Sequence, residues 1–154
     1  MRKVIIFALL ILFAVGYIWG NSLKDRERSA AQSSPVAEAL QPVLDPQEKI
    51  EKLDFHDIVR KLAHVTEFFV LGVFTAGFAI NLGTYLKKRF ISLPILMVLV
   101  VAVMDEYIQY LVGRGSLVTD VMLDFSGSLA GLGLVWLTVW VYQKIKTGKE
   151  SING

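Results

Sequence analysis

The chain has 154 residues, 54% of them hydrophobic, and its apolar residues form long blocks rather than the alternating pattern of a soluble core. Lys and Arg number 16 and Asp and Glu number 14, and the resulting net charge of +2 is too small to indicate a nucleic-acid partner. The absence of cysteine excludes disulfides, thiolate metal sites and cysteine nucleophiles.

The first apolar block, residues 4–20, contains no charged residue and ends with Tyr17 and Trp19, which are typical of a membrane interface. Arg2 and Lys3 before the block also fit the start of a cleaved signal peptide. The dense charges soon after the block do not fit a cleavage site. They favour a membrane span that stays in the protein.

A polar connection is predicted over residues 22–57, between the first span and the next apolar block. Its first part, residues 24–41, is rich in serine and alanine and is predicted to be flexible or partly helical. Pro46 is expected to open a short amphipathic helix that lies on the membrane surface before the chain turns into the second span. The apolar positions of that helix are Ile50, Leu53, Phe55 and Ile58.

Three further blocks reach the roughly 20 residues that a helix needs to cross a bilayer. They are residues 62–82, 90–112 and 117–142. The predicted fold class is therefore all-α: one membrane domain over residues 1–154, built as a four-span transmembrane helical bundle. Short basic clusters beside the span ends predict that both termini are cytoplasmic and that the connection over residues 22–57 is extracytoplasmic. The basic residues on this predicted inner side are Arg2, Lys3, Lys87, Lys88, Arg89, Lys144, Lys146 and Lys149.

Ionisable side chains inside the spans are candidate functional residues, because charges in a bilayer are costly unless they are paired or hydrated. With this topology, three spans place such residues near the outer end, and we predict one polar pocket there that opens to the outer leaflet. The residues are Arg60, Lys61, His64 and Glu67 in the second span, Asp105, Glu106 and Gln109 in the third, Arg114 in the turn, and Asp120 and Asp124 in the fourth.

Helical spacing supports a shared pocket, because residues three or four positions apart lie on one face of a helix. In the second span this spacing relates Arg60, His64 and Glu67. In the third span it relates Asp105 and Glu106 to Gln109, and in the fourth it relates Asp120 to Asp124. Gly127 and Gly131 continue the last stripe and are expected to let another helix approach closely.

A purely structural interpretation of these charges is also open. Arg60 or Arg114 would then pair with an acidic residue and lock the bundle together. The acidic residues concerned are Asp105, Glu106, Asp120 and Asp124. Lys61 has two interpretations as well: it is either an interfacial anchor whose amine reaches the head groups or a binding residue.

Four short motifs occur in an order that resembles the VanZ-like family. They are Arg60-Lys61-x-x-His64-x-x-Glu67-Phe68, Asp105-Glu106-x-x-Gln109, Gly113-Arg114 and Asp120-x-x-x-Asp124-x-x-Gly127. One departure is that the family often has Asn where Asp124 stands. The resemblance implies a bacterial plasma-membrane protein that works near the outer leaflet and its lipid-linked cell-wall precursors. It also implies a possible role in resistance to glycopeptides such as teicoplanin, to which the founding member is tied.

The first functional hypothesis is a protein that binds or modulates a lipid-linked component of the cell envelope. Arg60, Lys61 and Arg114 would hold a phosphate or diphosphate head group, because guanidinium groups suit phosphate oxygens. The acidic residues would hold the arginines and any hydroxyl or amine of the head group. In this hypothesis Gln109 and Asp120 are also binding residues.

The second hypothesis is an intramembrane hydrolase or transferase that acts on a lipid-linked substrate. His64 would be the general acid or base, and Glu67 would orient it. Asp105, Glu106 or Asp124 would supply the second carboxylate. The chain has no HExxH motif and its ligand-type residues lie on three spans, so no metal is predicted, although His64 with several carboxylates is chemically able to bind one.

A transporter that uses the same acids as a proton relay is the third hypothesis. It ranks below the other two because four spans are few for a carrier and the inner halves of the last three spans have no ionisable residue. The sequence leaves open whether any reaction occurs and which cofactor, if any, is used.

Overall fold

The computed structural model describes residues 1–24, 26–45, 50–115 and 117–152, and every regular element within them is an α-helix. These helices are α1 (Arg2–Ser22), α2 (Arg26–Leu44), α3 (Lys52–Leu86), α4 (Ser92–Leu111) and α5 (Val118–Ile152). All except α2 contain a segment long and apolar enough to cross a membrane. The predicted all-α, four-span fold is therefore confirmed.

The second half of the connection between the first two spans differs from the expectation. Helix α3 begins at Lys52 and continues unbroken to Leu86, so residues 53–58 extend the second span and form no separate surface helix. No glycine or proline lies between Lys52 and Leu71, and nothing therefore interrupts the helical hydrogen bonds there. Pro46, where that helix was expected to begin, lies outside the described residues.

The first half of the connection is the helix α2, which runs through Pro35 and Pro42. It packs against the first turns of α3, where Ala37, Phe55 and Val59 form a small buried cluster. The apolar side chain of Phe55 thus contacts another helix of the protein. At about 1.5 Å per residue, the 35 residues of α3 are about 52 Å long, so α3 extends well beyond a hydrocarbon layer of about 30 Å.

Helix α3 is the centre of the bundle. It contacts each of the other four described helices, and its contact with α5 is the most extensive. The largest fully buried apolar side chains are those of Ile18, Phe68, Leu71, Val98 and Leu132. Many outward apolar side chains stay exposed, such as Phe13 at 73%, and this suits helices that are surrounded by lipid.

Three glycines bring α3 and α5 unusually close. A Cβ atom on Gly127 of α5 would lie 2.6 Å from the backbone oxygen of Val65 on α3. Gly131 of α5 and Gly72 of α3 leave even less room to the backbone of the opposite helix. We call these three residues the glycine contact. The expectation that Gly127 and Gly131 let another helix approach closely is confirmed.

Candidate functional site

Four helices meet at one end of the bundle, which we call the polar end. It comprises the end of α1, the first half of α3, the end of α4 and the beginning of α5. A small cavity of about 20 Å³, partly open at its mouth, lies there. It is lined by Arg60, Lys61, His64, Glu106, Gln109, Arg114, Asp120, Leu123 and Asp124. The structure thus brings the predicted site residues together, with Glu67 and Asp105 bonded to neighbours at the same end.

Asp105 is a fully buried carboxylate of the polar end and accepts two side-chain hydrogen bonds. The hydroxyl of Ser22 donates to its Oδ1 at 2.7 Å, and Nε2 of Gln109, one turn further along α4, donates to its Oδ2 at 2.8 Å. Nδ1 of His64 lies 3.9 Å from the same Oδ2. Asp105 is thereby held in a fixed orientation between α1 and α3.

The end of α1 supplies residues that the sequence did not predict for the site. The side-chain amide of Asn21 donates to Oε1 of Glu67 at 3.0 Å, and Nζ of Lys24 donates to Oδ1 of Asn21 at 2.9 Å. Because the Ser22 hydroxyl bonds to Asp105, two consecutive residues of α1 bond to two acids of the polar end. The only sequence signal was the position of these polar residues directly after an apolar span.

The ion pairs differ from those of the purely structural interpretation. Arg60 pairs with Asp57 of its own helix at 3.4 Å, and Arg114 makes no ion pair with any residue that the structure describes. Lys61 pairs instead with Asp120 of α5, and Nζ lies 2.8 Å from Oδ1. Lys61 therefore links two helices at the wall of the cavity and is more than an isolated interfacial anchor.

Arg114 occupies the turn between α4 and α5, where the backbone of Gly113 and Gly115 has φ values of 76° and 80°. Such left-handed conformations favour glycine and allow the chain to reverse within a few residues. The guanidinium is partly buried and makes one long hydrogen bond, 3.4 Å, to the backbone oxygen of Asn21. Burial lowers the pKa of Arg114 from its usual value, and the nearby charge of Arg60 adds to this effect.

Two cavity-lining groups have unused bonding capacity. Asp124 is only 3% exposed and makes no hydrogen bond or ion pair with the described residues. Nδ1 of His64 is buried and likewise has no hydrogen-bond partner among them. Glu106 differs, because its Oε2 accepts the backbone N–H of Leu117 at 3.3 Å at the start of α5. Buried polar groups without a hydrogen-bond partner are rare in folded proteins, and both Asp124 and His64 are therefore able to bind a ligand, an ion or water.

The chemistry open to this arrangement is that of imidazole, carboxylates and guanidinium at one cavity. His64, Asp105 and Asp124 each offer a ligand atom, and these atoms lie within 4.8 Å of one another. An imidazole beside carboxylates is also able to move a proton, and guanidinium groups bind phosphate oxygens.

A family model described as VanZ/LLP1 matches residues 7–140 of the chain. The matched range begins in α1 and ends in α5, so it includes every residue of the cavity wall. No curated protein and no solved structure matches the chain.

Proposed function

The chain belongs to the VanZ/LLP1 family, and we propose that it binds the anionic head group of a lipid-linked cell-envelope component in the cavity of the polar end. The bound group would be a phosphate or diphosphate. The single observation that carries this proposal is the state of Arg114, a partly buried guanidinium at the cavity wall that has no ion pair among the described residues. A guanidinium has five N–H donors, and Arg114 uses them for one long hydrogen bond.

The other two basic residues of the wall support the same ligand. Arg60 and Lys61 are consecutive residues of α3, and the side chains of both are partly exposed, at 23% and 42%. Each is already oriented by an acid, Asp57 and Asp120, so little side-chain freedom would be lost on binding. Gln109 on the opposite wall offers an amide to a hydroxyl or amine of the head group.

We further propose that the polar end faces the exterior of a bacterial plasma membrane and that both termini are cytoplasmic. The opposite end of the bundle carries the short basic clusters, for example Arg2 with Lys3 and the run 87–89, which is the expected bias for cytoplasmic segments. Because the chain has no cysteine, single-cysteine variants test this directly. An impermeant maleimide added to intact cells should label Val118→Cys and not Lys88→Cys; the reverse pattern would refute the orientation.

Lipid binding is tested on the purified protein by native mass spectrometry with an isoprenoid phosphate, phosphatidylglycerol and uncharged diacylglycerol. Loss of a charge-assisted hydrogen bond costs about 1.5–3 kcal/mol, so Arg114→Ala should weaken binding of the two phosphate lipids at least about tenfold. Arg114→Lys should restore part of it, because lysine keeps the charge and loses the two-pronged geometry. The matched control is Arg89→Ala, an exposed arginine at the opposite end. Equal affinity in wild type and Arg114→Ala would exclude the proposal.

We also propose that this binding contributes to glycopeptide resistance in cells. An alanine series at the cavity wall, scored for teicoplanin susceptibility and for protein level, separates function from folding. We expect Arg60→Ala and Arg114→Ala to change susceptibility at an unchanged protein level. If every change in susceptibility follows a loss of protein, the charges of the polar end serve the fold alone.

An intramembrane hydrolase or transferase is the second candidate. It is favoured by His64, whose unpartnered Nδ1 lies at the cavity beside Asp105. There His64 would act as general acid or base on the bound lipid-linked substrate. Phosphate release from an isoprenoid diphosphate by the reconstituted protein, abolished by His64→Gln, would support this candidate. Absence of any turnover would refute it and would leave lipid binding as the function.

A further inference from the structure

We propose that His64, Asp105 and Asp124 together bind a divalent transition-metal ion at the wall of the cavity. The three residues come from α3, α4 and α5, and one ligand atom of each lies within 4.8 Å of the other two. One imidazole nitrogen with two carboxylate oxygens is a ligand set that suits Zn²⁺ or Mn²⁺. With three protein ligands, the ion would keep at least one coordination position open toward the cavity.

The bonding state of these side chains provides independent support. Asp124 lines the cavity and is only 3% exposed. It makes no hydrogen bond or ion pair with the described residues. Nδ1 of His64 is buried and has no hydrogen-bond partner there either. A buried, unpartnered carboxylate is costly. A cation placed between Asp124 and His64 would satisfy both groups at once.

The distances are close to those that coordination requires. Two ligand atoms that are each about 2.1 Å from one tetrahedral ion lie about 3.4 Å apart. Nδ1 of His64 and Oδ2 of Asp105 are 3.9 Å apart, so a contraction of about 0.5 Å brings this pair to coordination geometry. The hydrogen bonds from Ser22 and Gln109 already orient the Asp105 carboxylate, as outer partners commonly do for metal-binding carboxylates.

The net charge of the polar end is also compatible with binding of a divalent cation. Among the ten residues that the sequence predicted for the site, five are acidic and three are Lys or Arg, which gives −2 when all are ionised. A divalent ion would balance this excess and leave Arg114 available to an anionic head group. The metal proposal does not depend on lipid binding, and its test contains no added lipid.

The test uses the full-length protein in detergent, stripped with a chelator and titrated with Zn²⁺ or Mn²⁺. We expect one equivalent to bind, measured by elemental analysis after gel filtration. His64→Gln and Asp124→Asn should each weaken binding at least about tenfold. The matched controls are His56→Gln, the other histidine of the chain, and Asp54→Asn, an exposed acid of the same helix; both should retain wild-type affinity.

A spectroscopic measurement on the wild-type chain adds a result that does not depend on how well His64→Gln and Asp124→Asn fold. Electron paramagnetic resonance of the Cu²⁺-loaded protein should show a coordinated imidazole nitrogen, and the signal should persist in His56→Gln. Failure of the wild type to retain any of the three ions, a signal without imidazole, or loss of the signal in His56→Gln would each overturn the proposal. A protein that retains metal but binds no phosphate lipid would instead refute only the proposed function.

Discussion

The polar end and the glycine contact both join α3 to α5, and they do so by opposite physical means. At the glycine contact, the glycines let the backbone of one helix lie directly against the backbone of the other. At the polar end, side chains of both helices stand apart around a cavity, and the described link across it is the Lys61–Asp120 pair. Close contact along one part of the two helices thus coexists with open space along the other.

This difference shows how packing determines the geometry of the site. The glycine contact fixes the separation of α3 and α5 a short distance along the helices from the cavity. Asp124 lies one turn before Gly127 on α5, and His64 directly precedes Val65, whose backbone oxygen faces Gly127. The close packing at the glycine contact therefore determines how far His64 lies from Asp124. We expect substitutions there to damage the fold, and substitutions at the polar end to damage function first.

The largest effect is expected for Gly131→Ala. The added Cβ would collide with the backbone of Phe69 and Val73, neither of which is a flexible side-chain end. Overpacking of this kind costs about 1–3 kcal/mol, and we expect the upper part of that range. The measurement is the thermal unfolding midpoint of the purified protein in detergent.

Gly133→Ala is the matched control, because the same helix offers an open position two residues further on. An alanine there meets no atom within 4 Å and gains up to about 1 kcal/mol in helix propensity. The two substitutions should therefore change the midpoint in opposite directions. A midpoint that falls equally in both variants would show that the close approach of α3 and α5 is not what stabilises the bundle.

A smaller effect is expected for Ser22→Ala at the polar end. The fully buried hydroxyl of Ser22 donates to Asp105, and its removal leaves a buried carboxylate oxygen without that partner, at a cost of about 1–3 kcal/mol. The exposed Ser126, whose hydroxyl bonds only within its own helix, is the control and should change stability by less than about 0.5 kcal/mol. If Ser22→Ala is as neutral as Ser126→Ala, α1 does not support the site.

The sequence predicted much of this arrangement because membrane depth follows from charge placement. The long apolar runs located the spans, and the positions of His64, Asp105 and Asp124 within their spans placed these residues at one depth. Spacing of three and four residues then selected the correct faces, since most of the selected residues line one cavity.

The parts that the sequence did not predict depend on contacts between distant elements. Asn21 and Ser22 are uncharged polar residues at the end of an apolar span, where such residues are ordinary, and only the packing of α1 shows that they reach Glu67 and Asp105. The pairing of Asp120 with Lys61, where the structural interpretation had an arginine as the partner, likewise depends on how α3 and α5 pack against each other. The continuity of α3 was obscured by Pro46, a strong local signal for the start of a helix.

The smallest effect is expected for the Lys61–Asp120 ion pair. The two side chains are 42% and 26% exposed, and ion pairs with such access to water contribute about 0.2–1 kcal/mol. A double-mutant cycle with Lys61→Ala and Asp120→Ala should therefore give a coupling energy of about 0.5 kcal/mol that decreases as salt is added. Unfolding midpoints at low and high salt supply the measurement. A coupling energy as large as the cost of Gly131→Ala would mean that charge, and not only backbone contact, holds α5 against α3, and the distinction between the two regions would fail.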